Sequence, residues 1–415
     1  MKYKFIFFLF IFPFCINAQD IEYAREVIKT LSSEQFHGRG FTNNGEKIAA
    51  KYLKEELVKL NVKSFNNNYF QDFNISVNTI PSKISLKIDE TELIPGEDYI
   101  ISNSSGKCKG IFPIKKIDST FFSDFVLKDY SKTFIVIDKN DFKSEDLKKG
   151  YQLIKYTNFI KARGIIDVVN SNTLQTQSKL ANNWVNIQIK KEKFDSLSEN
   201  ITIKFKNKFY KKYQTQNVIG YVEGEVDTFI LFGAHYDHLG DMGKRAYFPG
   251  ANDNASGCAM VLNLAKHYVN SDFKPHYSMA FIFFSAEEVG ILGSEYFSEN
   301  PIIPLSKIKF FFNLDMIGTG EEGIKVVNGS VLKKEFEMLV NINEKNNYLE
   351  KVSPRGEAMN SDHHYIYQKG VKSVFIYTLG GYSEYHNIYD IESSLKLTKF
   401  ENLFRLIRDF SDIYR

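Results

Sequence analysis

Cysteine is nearly missing from this chain, with three in 415 residues. They stand at positions 15, 108 and 258, and no two form a Cys-x-x-Cys pair. A disulfide framework and a thiolate metal clip are therefore excluded. Net charge is also missing, because 53 basic residues face 50 acidic ones. Neither nucleic acid nor an anionic membrane surface is an obligate partner on that balance. The apolar run at the N-terminus is too short to span a bilayer comfortably, and no other stretch is long enough. Internal repeats and low-complexity tails are absent as well. What the chain has in quantity is aromatic side chains, 37 Phe and 24 Tyr, within an otherwise ordinary 43% hydrophobic and 25% charged composition. Its length exceeds what one core usually organises and points to two domains, or one domain with a large insertion.

The N-terminus reads as a targeting segment. Lys2 and Lys4 form a positive start, residues 5–16 an apolar stretch, and Ile16-Asn-Ala18 a cleavage site before Gln19. Residues 1–18 are thus expected to be a signal peptide, and the mature protein to be secreted or periplasmic with no membrane attachment. A lipid anchor on Cys15 fits poorly, since Phe-Pro-Phe precedes it in place of small residues. Cleavage leaves Cys108 and Cys258, the latter on the apolar stripe of an expected helix and so a small buried hydrophobe.

Three textures follow. Residues 19–69 carry helical periodicity, with Ala24, Val27 and Ile28 on one face and Ala49, Leu53 and Leu57 on another. Residues 70–213 break into short strands such as 84–88, 133–137 and 164–169, with one short helix expected from a Ser144 cap to about Gly150. Residues 214–415 alternate strand and helix. The expected architecture is an α/β fold: a mixed, mostly parallel sheet flanked by helices, interrupted by an inserted β-rich domain.

Five motifs in the last 200 residues lie where apolar strands end, the place where open α/β sheets put their chemistry. They are His235-Tyr-Asp237-His238, Asp253 within Ala-Asn-Asp-Asn-Ala-Ser-Gly, Glu287-Glu288, Asn313-Leu-Asp315, and Tyr385-His386. Imidazole nitrogen and carboxylate oxygen are zinc ligands, and a catalytic zinc site keeps a position for water. A pair of zincs sharing one water needs a bridging carboxylate, for which Asp253 on its glycine-flanked turn is the candidate. His235 and Asp315 can complete one metal, and Glu288 and His386 the other. Asp237, two residues beyond His235, is placed to orient that imidazole. Glu287 cannot easily aim at its neighbour's metal and is free to carry a proton from water to the leaving group.

These motifs, their order and their spacing resemble the co-catalytic di-zinc exopeptidases, a family that includes secreted bacterial leucyl aminopeptidases and glutamate carboxypeptidase. The resemblance implies the zinc-exopeptidase fold and two Zn2+ held by His235, Asp253, Glu288, Asp315 and His386, with Glu287 as general base. It is strong over residues 216–415 and reaches Phe36-His-Gly-Arg-Gly40 and Gln71-Asp-Phe in the N-terminal part. The middle module is similar, less specifically, to a protease-associated domain. The implied activity is aminopeptidase cleavage of peptides with a free N-terminus. Ser361-Asp362-His363 also matches a family segment near the metals, giving Asp362 a supporting role.

Other readings compete. Glutaminyl cyclase shares the fold and much of the motif set, but Asn-Ala-Ser-Gly after Asp253 and the inserted module argue against it. A carboxypeptidase or aminoacylase uses the same ligands with a different pocket. A non-catalytic binding protein would have lost ligands or base, and all six positions are intact. His238 is read as structural because it follows the better-placed Asp237, and His37, His267 and His276 as surface or core residues. Gly318-Thr-Gly320-Glu-Glu-Gly323 matches a nucleotide-loop pattern, but a strand follows it and its glutamates would repel pyrophosphate. The lysines between 204 and 212 read as a solvated strand.

Overall fold

The computed structural model describes residues 20–65, 67–122 and 128–415. The expected signal peptide, with Cys15, lies outside the described residues. Among the described residues no helix is long and apolar enough to cross a membrane.

The main sheet has eight strands in the order Phe70–Thr79, Lys208–Val222, Tyr277–Phe284, Val226–His235, Ile308–Leu314, Ser373–Leu379, Gly323–Val327 and Val352–Pro354. Four neighbouring strands at its centre, from Tyr277–Phe284 to Ser373–Leu379, run parallel. Antiparallel pairs bound them on both sides. The mixed, helix-flanked sheet expected from the sequence is what forms.

Continuous apolar runs make these central strands because both faces are covered. Every residue of Tyr277–Phe284 is buried. Along Val226–His235, Ile230, Phe232 and Ala234 face a core shared with the helices Ile21–Leu31, Ser256–Val269 and Phe400–Ile413. Phe229 and Leu231 face the opposite layer, with Phe297 and Ile366. The abundance of Phe has a structural use here. Phe232 stacks on Phe281 at 5.8 Å and on Phe312 at 5.9 Å, its register partners on the two adjoining strands, forming a ladder across the sheet.

A second eight-stranded sheet is built from strands between Ser85 and Phe205. The sequence places the start and end of the insertion at 70 and 213. The structure pairs Phe70–Thr79 with Lys208–Val222 inside the main sheet, from Phe70 opposite Val218 to Thr79 opposite Lys208. These two long strands form a stalk, and the second sheet begins beyond it. The insertion's core also takes in Leu239, Met242, Ala246 and Phe248 from the loop that follows the His235 strand. Helix Glu145–Thr157 runs past Gly150, where the sequence reading stops it, to an αL cap at Asn158. Gly150 is there for packing, since a Cβ at that position would come within 2.4 Å of the Phe122 ring.

Candidate metal centre

All the motif residues converge at the C-terminal ends of the four parallel strands. His235 is the last residue of its strand and Asp315 directly follows Ile308–Leu314. Glu287 and Glu288 follow Tyr277–Phe284 by three and four positions, and His386 lies in the loop after Ser373–Leu379. Asp253 stands on the turn that opens helix Ser256–Val269.

His235 Nε2 lies 3.3 Å from Asp315 Oδ1 and 3.4 Å from Asp253 Oδ1. On the other side of Asp253, His386 Nε2 lies 3.1 Å from Asp253 Oδ2 and 3.2 Å from Glu288 Oε2. Asp253 thus turns one oxygen to each histidine. The ligand atoms of His235, Asp253 and Asp315 fall within 4.8 Å of one another, and so do those of His238, Asp253 and Glu288. The donors are imidazole and carboxylate, the Nε2 of His238 has no partner, and such a set fits zinc.

The charges are mutually dependent. Burial opposes a proton on His386, but Glu288 and Asp253 overcome it and push the imidazole up to about 11. His235 is likewise held well above its usual value against burial, by Asp315, Glu287 and Asp253. Burial would raise Glu288, yet His386 and His238 bring it down to about 2. Glu287 goes the other way. Burial and the nearby Glu288, Asp362 and Asp315 carboxylates raise it well above the ordinary range, and His235 only partly compensates.

Several supports differ from the sequence reading. Asp237 was expected to hold the His235 ring with its carboxylate. That contact is 4.0 Å, and His235 Nδ1 instead faces the Asp237 main-chain carbonyl at 3.1 Å. The Asp237 carboxylate accepts the backbone N–H groups of Glu287 (3.0 Å) and Glu288 (3.3 Å), fixing the turn that presents both. His238, set aside as structural, is fully buried within the cluster. Its Nδ1 meets Glu288 Oε1 at 2.8 Å, and its Nε2 has no hydrogen-bond partner. Ser361 supports Asp315: its hydroxyl donates to Asp315 Oδ2 at 2.8 Å and accepts from Asn313 Nδ2 at 2.7 Å. Asp362 is buried nearby, with burial foremost in raising its carboxyl to about 7.

Two supporting residues carry no assigned role in the sequence reading. Asp390 accepts the N–H groups of Asn252 and Asp253. Arg39, buried completely, donates to the carbonyls of Leu31, Tyr236, Pro249, Gly250 and Asp253. A charged residue inside His37-Gly-Arg-Gly40, among glycines that permit close backbone approach, was the available signal. Gly40 has no room for a Cβ, which would lie 2.2 Å from Gly240 Cα.

A cavity of about 350 Å3 opens on the cluster, lined beyond the ligands by Met316, Arg355, Asn360, Phe375, Tyr377 and Tyr385. A separate cavity lies between residues 241–247 and His37, Asn43 and Asn44.

Fold and donor set are of the kind the sequence resemblance implies: a mixed sheet with imidazole and carboxylate ligand candidates gathered at the C-terminal ends of its parallel strands. Residues 217–411, which contain every ligand candidate, match Peptidase family M28. Aminopeptidase YwaD of Bacillus subtilis (strain 168) is 31% identical over 180 residues, which is 41% of this chain and 38% of that protein. Leucine aminopeptidase 2 of Arthroderma otae is 32% identical over 136 residues, 32% of this chain and 25% of that protein. The matches thus span well under half the length of these curated relatives. A zinc aminopeptidase from Bacillus subtilis superposes with a TM-score of 0.69 at 21% identity, covering 95% of this chain and 98% of that one. A peptidase M28 precursor from Shewanella amazonensis SB2B gives 0.71 at 15% identity, covering 94% and 92%.

Proposed function

We propose that the chain is an exported aminopeptidase with two zinc ions, removing N-terminal residues from peptides. The observation that carries this reading is Asp253, whose two oxygens face His235 on one side and His386 on the other. His235, Asp253 and Asp315 would hold one zinc, and Asp253, Glu288 and His386 the second. His238 then serves Glu288, engaging Oε1 and leaving Oε2 for the metal side.

When bound, two zincs supply Lewis acidity that polarises the scissile carbonyl and brings the pKa of water to about 7. The protein supplies the rest. Glu287 lines the cavity beside the cluster, and its raised proton affinity suits it to take a proton from water and deliver it to the departing amine. Carboxylates around the metals are natural partners for a substrate's free α-ammonium. Met316, Phe375, Tyr377 and Tyr385 offer apolar surface to the first side chain.

Mass spectrometry of a peptide panel incubated with residues 19–415 and zinc tests this. The panel holds N-terminally free, blocked and Gln-started peptides. Stepwise shortening of unblocked peptides alone is the expected result. Loss of ammonia from the Gln peptide with the chain intact would transfer the assignment to glutaminyl cyclase. No change in any peptide would overturn hydrolysis at the N-terminus.

A further inference from the structure

The inserted domain reaches the metal centre through one loop. Gln175 and His386 are joined twice: Gln175 N–H donates to the His386 carbonyl at 2.9 Å, and His386 Nδ1 faces the Gln175 carbonyl at 3.1 Å. Because a carbonyl can only accept, that contact places a proton on Nδ1 and makes Nε2, on the side of Asp253 and Glu288, the nitrogen a neutral imidazole would offer to a metal. His386 itself has a φ of +52°, a conformation uncommon outside glycine and one that needs holding.

The loop is fixed on the insertion side. Gln175 is buried, donating from Nε2 to the Ile101 carbonyl at 3.2 Å and accepting the Thr176 N–H at 2.9 Å. Two residues on, Gln177 Nε2 donates to the carbonyls of Leu239 (2.6 Å) and His238 (3.3 Å), while its Oε1 accepts from Asn103 Nδ2 at 2.9 Å. Asn172 Nδ2 reaches Glu384 Oε2 at 3.3 Å, two residues before His386. One insertion loop therefore grips both chain segments that bring histidines to Glu288.

We infer that the inserted domain is part of the metal centre, with Gln175 and Gln177 as positioning residues that set the tautomer and aim of His386. This rests on the two-metal reading above and adds to it a requirement for the insertion. Such an arrangement predicts an asymmetry: loosening the loop weakens the His386 metal and spares the His235 metal, whose ring is held by the carbonyl of Asp237, two residues further along the same segment.

The test is a zinc titration against a competing chelator on the full-length mature chain, with His386→Ala identifying the site that depends on this residue. Gln175→Ala and Gln177→Leu keep the Gln175 carbonyl but release the loop that carries it, and should lower affinity at that site by up to about 10- to 100-fold, the cost of losing a ligand's outer partner altogether, and leave the other within about two-fold. If Gln175→Ala does not fold, Gln177→Leu gives the same comparison. Equal losses at both sites, or none at either, would overturn the inference while leaving the metal reading intact. A wild-type protein with no site sensitive to His386→Ala would overturn both.

Discussion

Both carboxylate oxygens of Asp390 are committed to the turn that carries Asp253. Oδ1 accepts the Asn252 N–H at 2.8 Å and Oδ2 accepts the Asp253 N–H at 3.0 Å. Tyr382 adds a hydroxyl to Oδ1 at 2.8 Å. An amide at this position has one acceptor where two are required, so Asp390→Asn turns an N–H toward an N–H. The expected outcome is a folded protein that has lost about 10- to 100-fold in zinc affinity, read from metal content after dialysis at graded free zinc. Wild-type retention would show that Asp253 does not depend on this clamp.

Glu287→Gln separates the base from the ligands. Glutamine keeps the shape of the side chain and cannot accept the proton. Turnover should fall by about a hundred- to ten-thousand-fold, the usual worth of a positioned base, with zinc content unchanged. An active Glu287→Gln enzyme would sink the proposed role, and a variant that also loses metal would make Glu287 a ligand.

Arg39 is a stability prediction. Its guanidinium satisfies five carbonyls from three chain segments at 2.7 to 3.0 Å, entirely out of solvent. Lysine presents a point charge with three donors and cannot reproduce that fan. Arg39→Lys should therefore destabilise by about 4 kcal/mol or more in urea unfolding, since carbonyls left unpaired in the interior each cost about 1–3 kcal/mol. A change below about 1 kcal/mol would mean that water replaces the lost donors.

The main strands were legible because each is a continuous apolar run closed by a motif. Tyr277–Phe284 and Ile308–Leu314 stop within four residues of Glu288 and Asp315. What sequence periodicity cannot carry is contact between distant segments. The strands Phe70–Thr79 and Lys208–Val222 resemble the insertion in texture, yet they pair within the main sheet, and only the pairing reveals the stalk. His238 looked redundant beside Asp237, because nothing local says which neighbour turns toward Glu288. Asp237 lies near His235 as expected, but the main-chain carbonyl wins that contact, since the carboxylate is already spent on two backbone N–H groups. The Gln175 contact joins residues 211 positions apart and leaves no local trace.

Glu46 makes the fold's stability depend on pH. It is buried between Thr215, Gln216 and Tyr236, accepting from Gln216 Nε2 at 2.9 Å and Thr215 Oγ1 at 3.2 Å. Burial raises its carboxyl from 4.5 to about 7, and hydrogen bonds from Tyr213, Gln216 and Thr215 with the Lys47 charge offset only part of the rise. Between those two values the folded chain keeps a proton that the unfolded chain has released. Stability from this group is therefore fully present below 4.5, declines as pH rises, and is gone above about 7. The span amounts to about 3 kcal/mol at most. Glu46→Gln removes the titration, so its stability relative to wild type should grow by up to that amount between about pH 4.5 and pH 8. Urea unfolding of both proteins, free of metal, at the two pH values measures the difference, and the metal-site histidines titrate alike in both and cancel. A difference that is the same at both pH values would place the Glu46 carboxyl near its ordinary range and show that water reaches it.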